Sequence, residues 1–149
     1  MREILATQLK DALKSGDKRR VSTIRLIQAA IKDRDIAARG AGKGAVNEEE
    51  ILQILAKMVK QREESARIYE EANRIELAQQ EREEIAVIKS FLPKQLDESE
   101  VQQLCAKVVA EVGGGGLRDM GKCMAALKER YPGKMDFSKA SGVVKSLLQ

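Results

Sequence analysis

The sequence of 149 residues lacks histidine and tryptophan and contains only two tyrosines and two phenylalanines. Without an imidazole side chain, no Ser–His or Cys–His nucleophile pair can form, and no histidine can serve as an acid, a base or a metal ligand. Glutamates are plentiful, but they stand in charged helical runs such as 48–50 and 81–84, which are typical of helix caps and solvated faces. The sequence therefore predicts no catalytic residues of its own.

Cysteine is scarce as well, since Cys105 and Cys123 are the only two, eighteen positions apart. Neither belongs to a Cys-x-x-Cys unit, so the spacing of a zinc or redox motif is lacking. A dinucleotide fingerprint and a nucleophile elbow are missing too. We therefore predict no bound metal and no cofactor, and we expect both thiols to be reduced, buried side chains.

Long hydrophobic runs are also absent, because no uninterrupted apolar stretch exceeds a few residues. Such stretches are too short to span a membrane, so the sequence predicts no membrane partner. The first residues carry an acid at Glu3 and no apolar stretch of signal length, which predicts a cytoplasmic location. A composition that is 43% hydrophobic and 34% charged is nonetheless that of a folded chain.

The residues that are present favour helices. Ala, Leu, Glu, Lys, Arg and Gln fill most positions, and there are only two threonines and two prolines. No segment alternates like a strand, so the sequence predicts an all-α protein. Caps and apolar spacing predict seven helices, at about residues 2–15, 17–38, 47–72, a fourth ending before Leu92, 97–112, 118–130 and a last one from 136.

The best boundary between these helices is Pro93. It predicts an N-terminal four-helix domain over residues 1–92 and a small three-helix domain over residues 97–149. Helical spacing predicts the buried face of each helix. The buried positions predicted for the first, third and last helices include Leu5, Leu9, Ala12, Leu13, Ile68, Tyr69, Val143, Val144 and Leu147.

The glycine-rich stretch 39–46 contains the pair Gly-Lys, which suggests a phosphate-binding loop. That interpretation fails, because Lys43 is followed by Gly44 rather than Ser or Thr and no strand precedes the loop. We predict a flexible connection between two helices here.

Positive charge is concentrated at the start of the chain. Residues 1–39 carry ten basic and five acidic side chains, a net charge of +5, whereas the whole chain carries +4. Basic residues recur every seventh position in the second helix, at Lys18, Arg25, Lys32 and Arg39. Such a repeat keeps one side of a helix and could follow a phosphate backbone. It is also typical of a solvated helix face, and the pattern leaves both interpretations open.

A second set of candidate RNA contacts lies near the C-terminus. Arg118 and Lys122 point away from one predicted core face, and Lys139 and Lys145 point away from another. The four glycines 113–116 precede Arg118 and would present backbone N–H groups to an anion. Aromatic residues are not interleaved with these cations, so structured RNA read through its backbone is favoured over stacked single strands.

Several segments together resemble the YqeY family, the GatB/YqeY-domain proteins. They are Ile-Arg-Leu-Ile at 24–27, Lys-Gln-Arg-Glu-Glu-Ser at 60–65, Phe-Leu-Pro-Lys-Gln-Leu at 91–96, Asp-Met-Gly-Lys at 119–122 and Gly-Lys at 133–134. The match is collinear over essentially the whole chain. The resemblance implies that the C-terminal domain is similar to the tail of GatB, a subunit of the glutamine-dependent amidotransferase that acts on mischarged Glu-tRNA or Asp-tRNA.

In that enzyme the helical tail engages tRNA, while the chemistry lies in a larger domain and a partner subunit. This chain is too short to contain that domain. The resemblance therefore implies a non-catalytic accessory protein that binds tRNA, with Lys122 and Lys134, which match the family motifs, as leading contacts. The alternatives are a module that docks on a larger amidotransferase or synthetase, and a carbon–nitrogen ligase with glutamine as amido-N-donor, as the family label implies.

One departure from the family pattern limits this transfer of roles. The family often has an asparagine near the last turn, where this sequence reads Ser-Gly-Val-Val at 141–144. No role of that asparagine can be assigned to this chain.

Overall fold

The helices begin where short polar side chains can cap them. The computed structural model of the protein describes residues 1–113 and 115–149. Within these residues, four side chains accept a hydrogen bond from a backbone N–H in the first turn of the following helix: Asp17, Asn47, Asp97 and Asp136. All four are cap positions that the sequence predicts.

The described residues form seven α-helices and no strand, so the all-α prediction is confirmed. One turn of 3-10 helix, Leu117–Asp119, precedes the sixth α-helix. The helices are α1 (Arg2–Ser15), α2 (Lys18–Gly40), α3 (Glu48–Glu71), α4 (Ile75–Lys89), α5 (Glu98–Val112), α6 (Met120–Arg130) and α7 (Phe137–Leu148).

Two helix ends depend on a residue in the left-handed conformation. Gly16, with φ of 74°, ends α1, and the N–H of Asp17 donates to the carbonyl of Ala12 at 3.0 Å. Asn73, with φ of 59°, ends α3 in the same way. Both residues directly follow the predicted helix ends, at about residues 15 and 72.

Two helix boundaries differ from the prediction. Helix α2 continues to Gly40 because Gly42, with φ of 76°, forms the left-handed end two residues later. Helix α6 begins at Met120 rather than near Arg118, because residues 117–119 take the tighter 3-10 turn.

The chain divides into two compact units, Met1–Leu92 and Pro93–Gln149. The buried side chains that make the core of unit 1 come from α1 to α4 and the connection before α3. They are Leu5, Ile24, Ile27, Ile31, Val46, Ile51, Leu55, Met58, Val59, Ile85 and Ile88.

Unit 2 has its own core, built from α5, α6, α7 and the loop before α7. Its buried members are Cys105, Val108, Cys123, Leu127, Met135, Ala140, Val144 and Leu148. Both cysteines are buried free thiols, as the sequence predicts.

Three predicted core positions are wrong. Leu13, Ile68 and Leu147 are exposed, by 51%, 51% and 41% of their surface. Leu13 lies about 80° around the α1 axis from Leu5, eight residues earlier, so it falls on the flank of the buried stripe. Burial of such a flank depends on whether a neighbouring helix covers it.

Three helices of unit 1 are joined by one carboxylate. Glu84 on α4 accepts a hydrogen bond from Nε of Arg62 on α3 at 2.8 Å and lies 3.8 Å from Nη1 of Arg19 on α2. The side chains of Glu84 and Arg62 are each less than one fifth exposed. None of the helices in the described part of the chain has the length and apolarity needed to cross a membrane.

Candidate nucleic-acid interface

The four cations that recur along α2 lie on its exposed side. We call Lys18, Arg25, Lys32 and Arg39 the α2 ridge. Successive members are about 10 Å apart along the helix axis and drift by about 20° per seven residues. The positions between them carry small or apolar exposed side chains, namely Ser22, Ala29 and Ile36. The ridge is therefore a row of separated positive charges and not a continuous charged cluster.

The cations of the α2 ridge form no ion pairs in the part of the chain that the structure describes, whereas several other arginines of unit 1 do. The arginines that bond a carboxylate are Arg2, Arg19, Arg62, Arg67 and Arg82. Within residues 1–113 and 115–149, no carboxylate lies within ion-pairing distance of any of the four ridge cations. Arg39 is attracted electrostatically by Asp35 without forming an ion pair with it. The charged groups of Lys18, Arg25 and Lys32 are left to solvent or to a ligand.

The C-terminal end of the ridge is held by an ion pair on the neighbouring turn of α2. Both guanidinium Nη atoms of Arg2 donate to Asp35, each at 2.9 Å, and the N–H of Val46 donates to the same carboxylate at 2.9 Å. The hydrogen bonds from Arg2 and then from Val46 lower the pKa of Asp35 to about 2. The hydrogen bonds of Asp35 thus go to Arg2 and to the connection before α3, and the nearby charge of Arg39 lowers its pKa further.

The candidates near the C-terminus come from four different segments of unit 2. Arg118 lies in the 3-10 turn, Lys122 in the first turn of α6, Lys134 in the loop before α7, and Lys139 and Lys145 in α7. All are exposed except Lys134, which is half-buried. Lys139 and Lys145 are six residues apart, so they lie about 120° apart around α7. We call these five residues the unit 2 set; they belong to another unit than the α2 ridge.

The loop that carries Lys134 is fixed by the segment that begins unit 2. Nε2 of Gln95 donates to the carbonyl of Gly133 at 2.6 Å, and the N–H of Leu96 donates to the carbonyl of Lys134 at 2.9 Å. Gly133 is buried and has a φ of 71°, a backbone conformation that favours glycine. The Leu-Pro-x-Gln-Leu and Gly-Lys motifs thus contact each other through hydrogen bonds.

Sequence reasoning identified those two motifs but missed their contact, because 38 residues separate Gln95 from Gly133. The signal that could have found it is the pair Pro132-Gly133, which predicts a turn, together with the amide side chain of Gln95 two residues after Pro93.

The glycine loop before α6 is less suited to an anion than predicted. The N–H of Gly115 donates to Oδ2 of Asp119 at 2.8 Å, so the protein's own carboxylate already occupies this amide. A second acidic charge would be repelled at the same place. The expectation for Gly114 lies outside the described residues. The candidate interface in unit 2 therefore consists of side chains, with no contribution from the Gly115 amide.

These features define a class: all-α proteins with two helical units, each carrying exposed cations. The family can also be identified. The model of the family described as "Yqey-like protein" matches residues 2–148. This chain belongs to the YqeY family.

Two relatives are similar over about two thirds of the chain. A protein of Clavispora lusitaniae, "Altered inheritance of mitochondria protein 41, mitochondrial", is 36% identical over 103 residues, which is 67% of this chain and 58% of that protein. An uncharacterised protein of Schizosaccharomyces pombe is 26% identical over 94 residues, which is 63% of this chain and 73% of that protein. The similarity to this chain thus spans little more than half of the first relative.

Proposed function

We propose that this protein binds tRNA as a non-catalytic helical accessory protein. The observation that carries the proposal is the α2 ridge, four exposed cations in one row, none of which forms an ion pair with a carboxylate among the described residues. Unpaired cations on a solvent face bind phosphates at the least cost, because no existing ion pair has to be broken.

The dimensions of the ridge suit a folded RNA. From Lys18 to Arg39 it extends about 30 Å along α2, which is long enough to contact phosphates at several points along a folded RNA. The small and apolar residues between the cations offer no base-edge donors or acceptors except Ser22. Recognition would therefore depend on backbone and shape, with little reading of sequence.

Unit 2 supports the same function through its resemblance to the GatB tail. Lys122 and Lys134 match family motifs, and the backbone of Lys134 is fixed by the hydrogen bond from Leu96. A cation on a fixed loop loses less conformational freedom on binding a phosphate than one on a mobile loop. We therefore assign Lys122 and Lys134 as the first contacts to test in this unit.

The test is a titration of fluorescently labelled total tRNA with the full-length protein at several salt concentrations. Binding should weaken steeply as salt rises, because each phosphate contact releases a counterion. Three variants with the same change in net charge then locate the contacts: Lys18→Glu/Arg25→Glu, Lys122→Glu/Lys134→Glu, and the control Lys10→Glu/Lys57→Glu at exposed sites in neither set.

We expect one of the first two variants to lose at least tenfold in affinity while the control loses much less. Absence of salt-sensitive binding at low ionic strength would refute tRNA binding. An equal loss of affinity in all three variants would mean that tRNA binding depends on the net charge of the protein and not on either set of residues.

A second candidate function is docking on a larger enzyme such as an amidotransferase or synthetase. The observation that favours it is the exposure of large apolar side chains in unit 1, including Leu13 and Leu26. A stoichiometric complex that survives nuclease treatment would favour this function over tRNA binding. A glutamine-dependent amidation product from the purified chain would instead favour the third alternative, a carbon–nitrogen ligase.

A further inference from the structure

A groove of about 800 Å³ opens on unit 1 between the end of α1 and the first half of α2. Its floor and walls include Leu13 from α1 and Val21 and Leu26 from α2. The two leucines remain 51% and 44% exposed although they line the same opening. We call this cavity the α1–α2 groove.

The charged residues of the groove are predominantly basic. Lys18 and Arg25 of the α2 ridge line it, and neither has a carboxylate partner within the described residues. The acidic side chain in the lining, Glu84, is already paired with Arg62 and Arg19. An occupant therefore meets an apolar floor beside two unpaired cations about 10 Å apart.

We propose that the α1–α2 groove binds an acidic amphipathic helix of a partner protein. A helix places apolar anchors at positions i, i+3, i+4 and i+7 into such a groove. Acidic residues seven positions apart on the partner helix are separated by the same rise as Lys18 and Arg25. The groove and this occupant are thus complementary in both shape and charge.

RNA fits this groove less well than it fits the rest of the ridge. A phosphodiester backbone has no apolar surface to cover Leu13, Val21 and Leu26, and no aromatic side chain lines the groove for a base to stack on. The proposal goes beyond tRNA binding and does not depend on it. Because Lys18 and Arg25 belong to both surfaces, we expect the peptide and RNA to compete at this end of α2.

A titration monitored by NMR tests the proposal with the full-length, isotope-labelled protein. The probe is a designed helical peptide of about 16 residues with leucine on one face and glutamate on both flanks. A matched peptide carries lysine in place of each glutamate. With the acidic peptide at concentrations up to about 1 mM, we expect amide shifts concentrated in residues 12–26. The lysine peptide should produce at most a small fraction of these shifts.

Variants assign the contact to the groove. Leu13→Ser/Leu26→Ser should weaken the acidic peptide at least tenfold, whereas Ile75→Ser, at a side chain 56% exposed in the same unit but outside the groove, should leave it unchanged. Lys18→Glu/Arg25→Glu should reverse the preference between the two peptides. These leucines are already half exposed, so their replacement should leave the fold intact, which the unperturbed amide spectrum would verify.

Four results would overturn the proposal: no shifts in residues 12–26, equal shifts with both peptides, unchanged affinity in the leucine variant, or tRNA affinity falling as much as peptide affinity in that variant. A fifth would assign the groove to a second copy of this chain. In that case light scattering would give a dimer for the natural protein and a monomer for Leu13→Ser/Leu26→Ser.

Discussion

Arg2 and Asp35 form a two-armed ion pair that joins the beginning of α1 to the second half of α2, with both N–O distances at 2.9 Å. The same carboxylate accepts the N–H of Val46, and the same guanidinium donates to the carbonyl of Val46 at 3.1 Å. Two charged side chains and the backbone N–H and carbonyl of Val46 thus connect three segments of unit 1, including the connection predicted to be flexible.

The ion pair predicts a stability contribution that disappears in acid. The pKa of Asp35 is lowered to about 2 in the folded protein from an ordinary value of 3.8. The contribution is therefore complete above the ordinary pKa and is lost as the pH falls through about 2. We expect Asp35→Asn to be less stable than the natural protein at pH 6, with the difference shrinking towards zero near pH 2. Urea unfolding at a series of pH values measures it, and a difference independent of pH would contradict the assignment.

Removal of the charge of Glu84 should lower the free energy of unfolding more than removal of an exposed ion pair of the same unit. Glu84→Gln weakens the bonds to Arg62 and Arg19 and leaves the largely buried guanidinium of Arg62 without its carboxylate, so the free energy of unfolding should fall by about 1–3 kcal/mol. The control Glu71→Gln removes an exposed pair with Arg67 and should cost much less, because solvent screens that pair. Urea denaturation compares the two, and equal losses would show that Glu84 is no more important than a surface charge.

Two glycines predict opposite effects of the same substitution. Neither Gly16 nor Gly142 has an atom within 4 Å of the position where a Cβ would stand, so sterics do not distinguish them. Gly16 has a φ of 74°, whereas Gly142 lies in the interior of α7. Gly16→Ala should therefore destabilise by about 1 kcal/mol and Gly142→Ala should stabilise by about 0.5–1 kcal/mol. Thermal unfolding followed by circular dichroism gives both signs; a shift of the same sign in both variants would contradict the backbone argument.

Both thiols should be modified slowly in the folded protein, because both are buried. Burial raises the pKa of both Cys105 and Cys123, and each side chain has no exposed surface. At pH 8 the folded protein should react with a thiol reagent far more slowly than the protein in urea, by about a hundredfold or more. Absorbance of the released thiolate measures both rates, and rapid reaction of either thiol without urea would place it outside the unit 2 core.

The helices were predictable from the sequence because their signals are local. Asp17, Asn47, Asp97 and Asp136 bond amides in the adjacent turn, so a few consecutive residues suffice to identify each cap. Helical spacing likewise placed the α2 ridge on an exposed face. The exposure of Leu13 was not predictable, since it depends on which neighbouring helix covers the flank of α1.

The candidate site was predictable only where it consists of single side chains. The state of the Gly115 amide depends on how Asp119 folds back, and the position of Lys134 depends on Leu96, a contact between distant segments. The α1–α2 groove is likewise formed by two helices, and neither helix pattern alone indicates a cavity. Interactions of this kind follow from tertiary packing and are absent from any short window of sequence.

A positive charge added at Ala29 should increase the affinity for tRNA, which tests the α2 ridge by a gain rather than by a loss. It is exposed between Arg25 and Lys32 on the α2 ridge, so Ala29→Lys would shorten a gap in the row of cations. If the ridge follows a phosphate backbone, the variant should bind tRNA several-fold more tightly, and the slope of log affinity against log salt should steepen by about 0.7–0.9. The control Ala110→Lys adds the same charge at an exposed site of α5. Equal gains from both variants would mean that net charge, and not the ridge, determines the affinity for tRNA.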